Sequence, residues 1–122
     1  MPTEPAVPTL SEVVHRAVTV CDPEGDNDGL AQFLERFRDA DEPITAEPDV
    51  ELRIAEGKGA IDPQDEDPAV VMAAAVATYL AFRRDELPEE REELLRLAAR
   101  AEFDGKPPPE VADWLASEGA AA

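Results

Sequence analysis

Two side chains near the start of this 122-residue chain could do nucleophilic chemistry. Ser11 and His15, the single histidine, lie four residues apart, so on a helix they would be neighbours and could be drawn as a nucleophile and its base. Nothing in the sequence marks an acid that would orient the imidazole, and we interpret His15 as structural. There is also no phosphate-binding glycine loop, no CxxC and no HExxH. The sequence therefore predicts a protein without a catalytic site.

Cys21 is the single cysteine, so no disulfide within the chain is expected. It falls on the apolar face of the first predicted helix, where a free thiol is typically an unreactive small hydrophobe. A reducing cytoplasm is the compartment that this cysteine usage favours. We therefore expect a cytoplasmic protein in which cysteine holds no cofactor, since a four-thiolate metal site is impossible with one cysteine.

The stretch that comes nearest to a known kind of metal site is residues 24–35, between two predicted helices. This stretch resembles an EF-hand calcium loop, in which side chains at positions 1, 3, 5 and 12, and a backbone carbonyl at position 7, surround the ion while glycine at position 6 makes the turn. The resemblance implies a Ca²⁺ site. Its implied ligands are Glu24, Asp26, Asp28, Leu30 and Glu35.

The same acidic residues also have an interpretation as helix caps. Asp and Asn are preferred at N-cap positions because their side-chain oxygens accept hydrogen bonds from the free amides of the first turn. In that case Asp26 or Asp28 caps the second helix, and no ion is bound. The other acidic loop, 62–67, has no glycine at its sixth place, so the sequence contains no second loop to pair with the first.

Charge excludes whole classes of partner. The chain has 29 acidic and 11 basic residues and a formal net charge of −18. A surface of this sign repels DNA, RNA and anionic lipid, so we expect neither a nucleic-acid nor a membrane partner. Acid excess with few lysines is typical of proteins adapted to concentrated salt. The alternative is an inhibitor whose carboxylates imitate nucleic-acid phosphates.

Apolar residues recur at helical spacing along most of the chain. Thr9 to Glu12 has the pattern of a capping box, which predicts the start of the first helix. Residues 50–56 alternate as in a strand, but no second such run exists to pair with them, and we favour a short helix followed by a long mobile loop. Glu92 and Arg96 are spaced to pair on an outer face. The predicted helices are 10–21, 30–41, 50–56, 67–84, 88–103 and 110–117.

The helix at about 67–84 is apolar on nearly every side, which predicts that it is the buried centre of the molecule. Its apolar run is too short to span a hydrocarbon core, which needs about 20 residues. We therefore predict an all-α fold, a compact bundle of four to six helices formed by a single domain over residues 9–118. A disordered leader, 1–8, and a frayed tail, 119–122, would flank it.

Two features predict contact with another protein. Ala73, Ala77 and Ala81 are spaced to form a flat stripe on the central helix, which would suit a two-fold mate if the other helices left it uncovered. Trp114, the single tryptophan, either anchors the last helix or is offered to a partner. The expected function is therefore a non-catalytic acidic helical interaction or accessory protein, with a protein partner or a homodimer, and the Ca²⁺-binding protein is the alternative.

The net charge predicts how stability responds to salt. Because uncompensated carboxylates repel one another within a small volume, added salt should stabilise the fold by screening that repulsion. We expect the melting temperature to rise steadily from low salt to 1 M KCl in a thermal melt followed by circular dichroism. A flat or falling curve would show that self-repulsion does not govern stability.

Overall fold

The computed structural model describes residues 9–40, 49–64, 66–82 and 91–120. Every regular element in these ranges is an α-helix, which confirms the predicted all-α bundle. The predicted leader, 1–8, lies outside the described residues. The helices are α1 (Leu10–Cys21), α2 (Asp28–Arg36), α3 (Val50–Ile61), α4 (Pro68–Phe82), α5 (Arg91–Phe103) and α6 (Pro109–Ser117).

The central position predicted for α4 is confirmed. Residues 69–77 are all buried, as are Leu80 and Ala81, and α4 contacts each of the other five helices. Asp67 begins the helix as its N-cap, because its carboxylate accepts from the amide of Ala69 at 3.0 Å. No helix in the described part of the chain is long and apolar enough to cross a membrane.

The alanine stripe of α4 is buried within its own chain. Ala73 and Ala77 are 0% exposed, and Ala81 is 9% exposed. The prediction that this stripe is left uncovered for a second copy is therefore wrong. A helix that is apolar on all sides is contacted here by its five neighbours, which together leave no residue from 69 to 77 exposed. The homodimer prediction loses the surface on which it rested.

The predicted short helix at 50–56 is too short. α3 continues to Ile61, and Gly57 lies inside it, buried, instead of ending it. A Cβ at Gly57 would stand 2.6 Å from Cε2 of Phe37, so glycine is what lets α3 approach the aromatic ring this closely. Tertiary packing thus overrides the low helix propensity of glycine, and residues 57–61 belong to a helix and not to the predicted loop.

Helix α2 ends earlier than predicted, at Arg36 instead of about residue 41. The chain then turns, and the carbonyl oxygen of Ala40 accepts from the amide of Ser11 at 3.0 Å. Phe37 leaves the helix in a direction that sets its ring edge-to-face with Phe33, with centroids 5.3 Å apart. The predicted start of the fifth helix at residue 88 lies outside the described residues.

The end of α6 is closed by a hydrogen-bonded turn. Gly119 takes a left-handed conformation with φ of 77°, and the amide of Ala120 donates to the carbonyl of Leu115 at 2.8 Å, the long bond of a Schellman motif. Ala120 is fully buried. The predicted frayed tail is therefore wrong for residues 119 and 120, and the last two residues lie outside the description.

The first four helices form two matching helix–loop–helix units, offset by 40 positions. α1 and α3 begin at residues 10 and 50, and α2 and α4 begin at residues 28 and 68. In each unit an Asp-Pro step follows the first helix. The carboxylate of Asp22 accepts from the amides of Asp26 and Asn27 at 3.0 and 2.9 Å. Asp62 does the same for the amides four and five residues later, both at 2.9 Å.

The two loops also touch each other. The side-chain amide of Asn27 donates to Oδ2 of Asp67 at 3.3 Å, which joins equivalent positions of the two units. Between residues 10–27 and 50–67 only the Asp-Pro step is identical. The relationship is not visible in the sequence. The two units share burial and capping geometry, but different side chains provide them.

The glycines of α3 supply a matched pair of substitutions. Gly57→Ala should lower the free energy of unfolding by about 1–3 kcal/mol, because the new methyl group collides with Phe37. Gly59→Ala meets nothing within 4 Å and should raise stability by about 0.5–1 kcal/mol through helix propensity. Urea denaturation of both variants measures the difference. Equal effects would mean that α3 does not approach Phe37 as described.

Candidate functional site

A cleft lies between α5 and α6. Both helices pack on α4 but make little contact with each other. The cleft has a volume of about 280 Å³. Its polar side chains are those of two arginines, Arg96 and Arg100, and the rest of its lining is apolar apart from the glycine of the connector. The apolar side chains are those of Ala99, Pro107, Ala112, Leu115 and Ala120.

Local sequence explains how each wall forms. On α5, Arg96, Ala99 and Arg100 are spaced at i, i+3 and i+4, so they share one face of the helix. The helix ends where Asp104 and Gly105 both take positive φ, 54° and 81°, and reverse the chain. Three prolines follow, and the last of them opens α6. The two walls are therefore joined by a short, stiff connector at one end.

Arg91 ties the other end of the cleft together. Its Nε donates to the carbonyl oxygen of Val20 at the end of α1, and its Nη1 donates to the carbonyl oxygen of Glu118 at 3.5 Å. Its Nη2 lies 3.6 Å from the carboxylate of Glu118. Arg91 stands at the first residue of α5, and Glu118 caps α6. This contact fixes the start of α5 against the end of α6.

The two cleft arginines differ from Arg91 in having no partner. In the part of the chain that the structure describes, neither Arg96 nor Arg100 forms an ion pair or a hydrogen bond. The pair predicted between Glu92 and Arg96 is therefore not formed. Arg96 is half-buried and Arg100 is exposed. Two guanidinium groups are thus free to bind an anion from outside, in a chain with 29 acidic residues.

The nucleophile candidates are not assembled. The Ser11 hydroxyl donates to the carbonyl oxygen of Arg38 at 3.3 Å, and His15 is exposed. Cys21 is buried, and burial raises the pKa of its thiol far above the usual range, with the positive charge of Arg91 opposing this only in part. The thiolate that a nucleophile requires is therefore not formed near neutral pH.

The residues of the calcium-like loop differ in their surroundings. Glu24, Asp26 and Asp28 are exposed, while Leu30 is fully buried in the core. Glu35 instead forms a surface ion pair with an arginine on the next turn, at 3.2 Å. Among the described residues no group of three or more His, Cys, Asp or Glu side chains could hold a metal ion.

A residue that the sequence analysis did not choose caps α2. Oδ1 of Asn27 accepts from the amide of Leu30 at 3.0 Å, so Asn27 is the N-cap and Asp28 is the first residue of the helix. The prediction that Asp26 or Asp28 provides the cap is wrong. Asp22 holds the amides of Asp26 and Asn27, and this places the Asn27 side chain over the first turn.

Trp114 lies on α6, half-buried, and packs against the core. The arginine cleft next to it was missed by the sequence analysis. Its one local signal is two arginines a turn apart with an alanine between them, and that spacing is common on solvated helix faces. What distinguishes the cleft is the apolar wall that α6, the next helix along the chain, places opposite these arginines.

No protein-family model, no curated protein and no solved structure matches this chain.

The loop geometry generates a test of the calcium hypothesis. Since Asn27 already satisfies the first turn of α2, we expect millimolar Ca²⁺ to leave the amide spectrum of residues 24–35 unchanged in a ¹H–¹⁵N NMR titration. Saturable shifts confined to this loop, abolished by Glu35→Gln, would instead establish the calcium site.

The cap itself can be tested by substitution. Asn27→Ala should lower the free energy of unfolding by about 1 kcal/mol through loss of the cap.

Proposed function

We propose that this chain is a non-catalytic accessory protein that acts by binding, and that the α5–α6 cleft is its binding surface. One observation carries the proposal: two arginines without a partner in the described part of the chain stand at an apolar cleft. A concave apolar surface with a few convergent polar groups is the usual form of a ligand site. The unassembled Ser11 and His15 and the protonated Cys21 support a role in binding over one in catalysis.

The net charge does not prevent an anion from binding here. At physiological ionic strength, exposed charges are screened over about 8 Å, so carboxylates on the far side of the molecule act only weakly on the cleft. An anion in contact with a guanidinium group feels a direct, charge-assisted hydrogen bond. The negative surface still repels anions that approach elsewhere, and it thereby directs binding to this cleft.

A protein partner that contacts α6 is the second candidate. Trp114 favours it, because tryptophan is enriched among the residues that dominate protein interfaces and part of this side chain remains exposed. Trp114→Phe keeps an aromatic ring against the core but makes the part of the side chain that a partner could contact smaller. It should weaken a protein complex and leave the binding of a ligand in the cleft unchanged.

The proposal predicts a bound species that depends on the arginines. In native mass spectrometry of the protein purified from the organism that makes it, we expect an additional mass on the wild type. Arg96→Ala/Arg100→Ala should lose it, because the charge-assisted contacts are gone.

Arg16→Ala/Arg36→Ala is the matched control. It removes the same charge from two exposed arginines on α1 and α2, which also lack a partner among the described residues, and it should retain the bound species. A wild-type spectrum that shows the bare chain alone, under every condition of gentle ionisation, would refute the proposed function.

A further inference from the structure

We infer that the ligand of the α5–α6 cleft is a small organic carboxylate with an apolar body, such as a medium-chain or aryl carboxylate. This inference rests on the proposed function and names the chemical class of the ligand. It follows from the polarity of the lining, from the size of the cleft and from the geometry of the guanidinium groups.

The lining selects an apolar ligand body. Among the described residues that line the cleft, only the two arginines have side chains that donate or accept a hydrogen bond. A sugar, a nucleotide base or an extended peptide backbone would leave polar groups unsatisfied against Pro107, Ala112 and Leu115, and each such group costs free energy of binding. A hydrocarbon chain or an aromatic ring has no such groups to satisfy and gains from leaving water.

The size selects a small molecule over a protein surface. A volume of about 280 Å³ is near the lower end of small-molecule sites, which are roughly 300–1,000 Å³. A stable protein interface uses about 20–30 residues on each side. The few side chains of this cleft are too small a set for that, whereas they suffice to enclose the body of one small ligand.

The head group follows from the two arginines. Arg96 and Arg100 stand one helical turn apart, and the planar guanidinium fork matches the two oxygens of a carboxylate. A phosphate monoester also binds arginine, but it presents three oxygens that do not lie in one plane. A carboxylate has two oxygens in one plane, which a single guanidinium fork binds in a bidentate way. The carboxylate is therefore the better geometric fit.

The test compares three probes that separate head group from body. Octanoate, below its micelle concentration, has both parts; octanamide has the body without the charge; acetate has the charge without the body. We expect saturable NMR shifts for octanoate at the amides of Ala99, Ala112 and Leu115. Octanamide and acetate should each bind at least about tenfold more weakly than octanoate, since each lacks one of the two contributions.

Two variants locate the site. Arg96→Ala/Arg100→Ala should weaken octanoate binding about tenfold or more, while Arg16→Ala/Arg36→Ala should bind it like the wild type. Ala112→Leu fills the cleft without changing charge and should also reduce octanoate binding. A thermal melt of each variant checks that it is folded, so that a loss of octanoate binding can be attributed to the change in the cleft.

Several results would overturn the inference. Equal affinity for octanoate and octanamide would show that the arginines do not bind the head group, and equal affinity for octanoate and acetate would show that the apolar walls contribute nothing. An arginine-dependent bound mass in native mass spectrometry, without octanoate binding, would refute the carboxylate and leave the proposed function standing. A bound mass that is a polypeptide would assign the cleft to a protein partner.

Discussion

The constraint on which this fold depends is the burial of α4 on every side. An ordinary surface helix has one apolar stripe and one solvated face, but residues 69–77 are all apolar and all buried. Each buried methylene contributes about 0.8 kcal/mol, so exposing any face of this helix would be costly. The other five helices satisfy the constraint together, since each of them places its own stripe against α4. The alanines make this arrangement feasible because they allow neighbouring backbones to come close.

The cleft between α5 and α6 is a consequence of the same constraint. The buried side chains of these helices, among them Leu95, Val111 and Leu115, belong to the core that surrounds α4. α5 and α6 both direct their apolar stripes at α4 and make little contact with each other. The space that remains is lined at one end by Gly105 and Pro107 of the connector. The cleft is thus produced by the packing of the core.

The ordered carboxylates near the helix ends act on the backbone. Asp22 and Asp62 each accept two amide hydrogen bonds at the end of an incoming helix, and Asp62 does so while 8% exposed. These bonds satisfy amides that would otherwise be unpaired in two connections that lie side by side. Asp22 and Asp62 therefore have the same structural role in the two units.

Local pattern determined the helices that have strong end signals and regular apolar spacing. The capping box at Thr9 and the all-round apolar character of α4 are properties of neighbouring residues, and both led to correct predictions. Tertiary packing decided what happens where local signals conflict. Gly57 reads as a helix end, yet it lies inside α3 because the close approach of Phe37 requires a residue without a side chain.

The candidate site shows the same division at larger scale. That Arg96 and Arg100 share a helix face follows from their spacing alone. That this face meets an apolar wall from α6, with Ala120 folded back into the core, depends on how both helices pack on α4. Hydrophobic periodicity reports which side of a helix is buried, but it contains no information about which distant helix lies opposite. The burial of α4 could therefore be inferred from the sequence alone, whereas the cleft exists only in the packed tertiary structure.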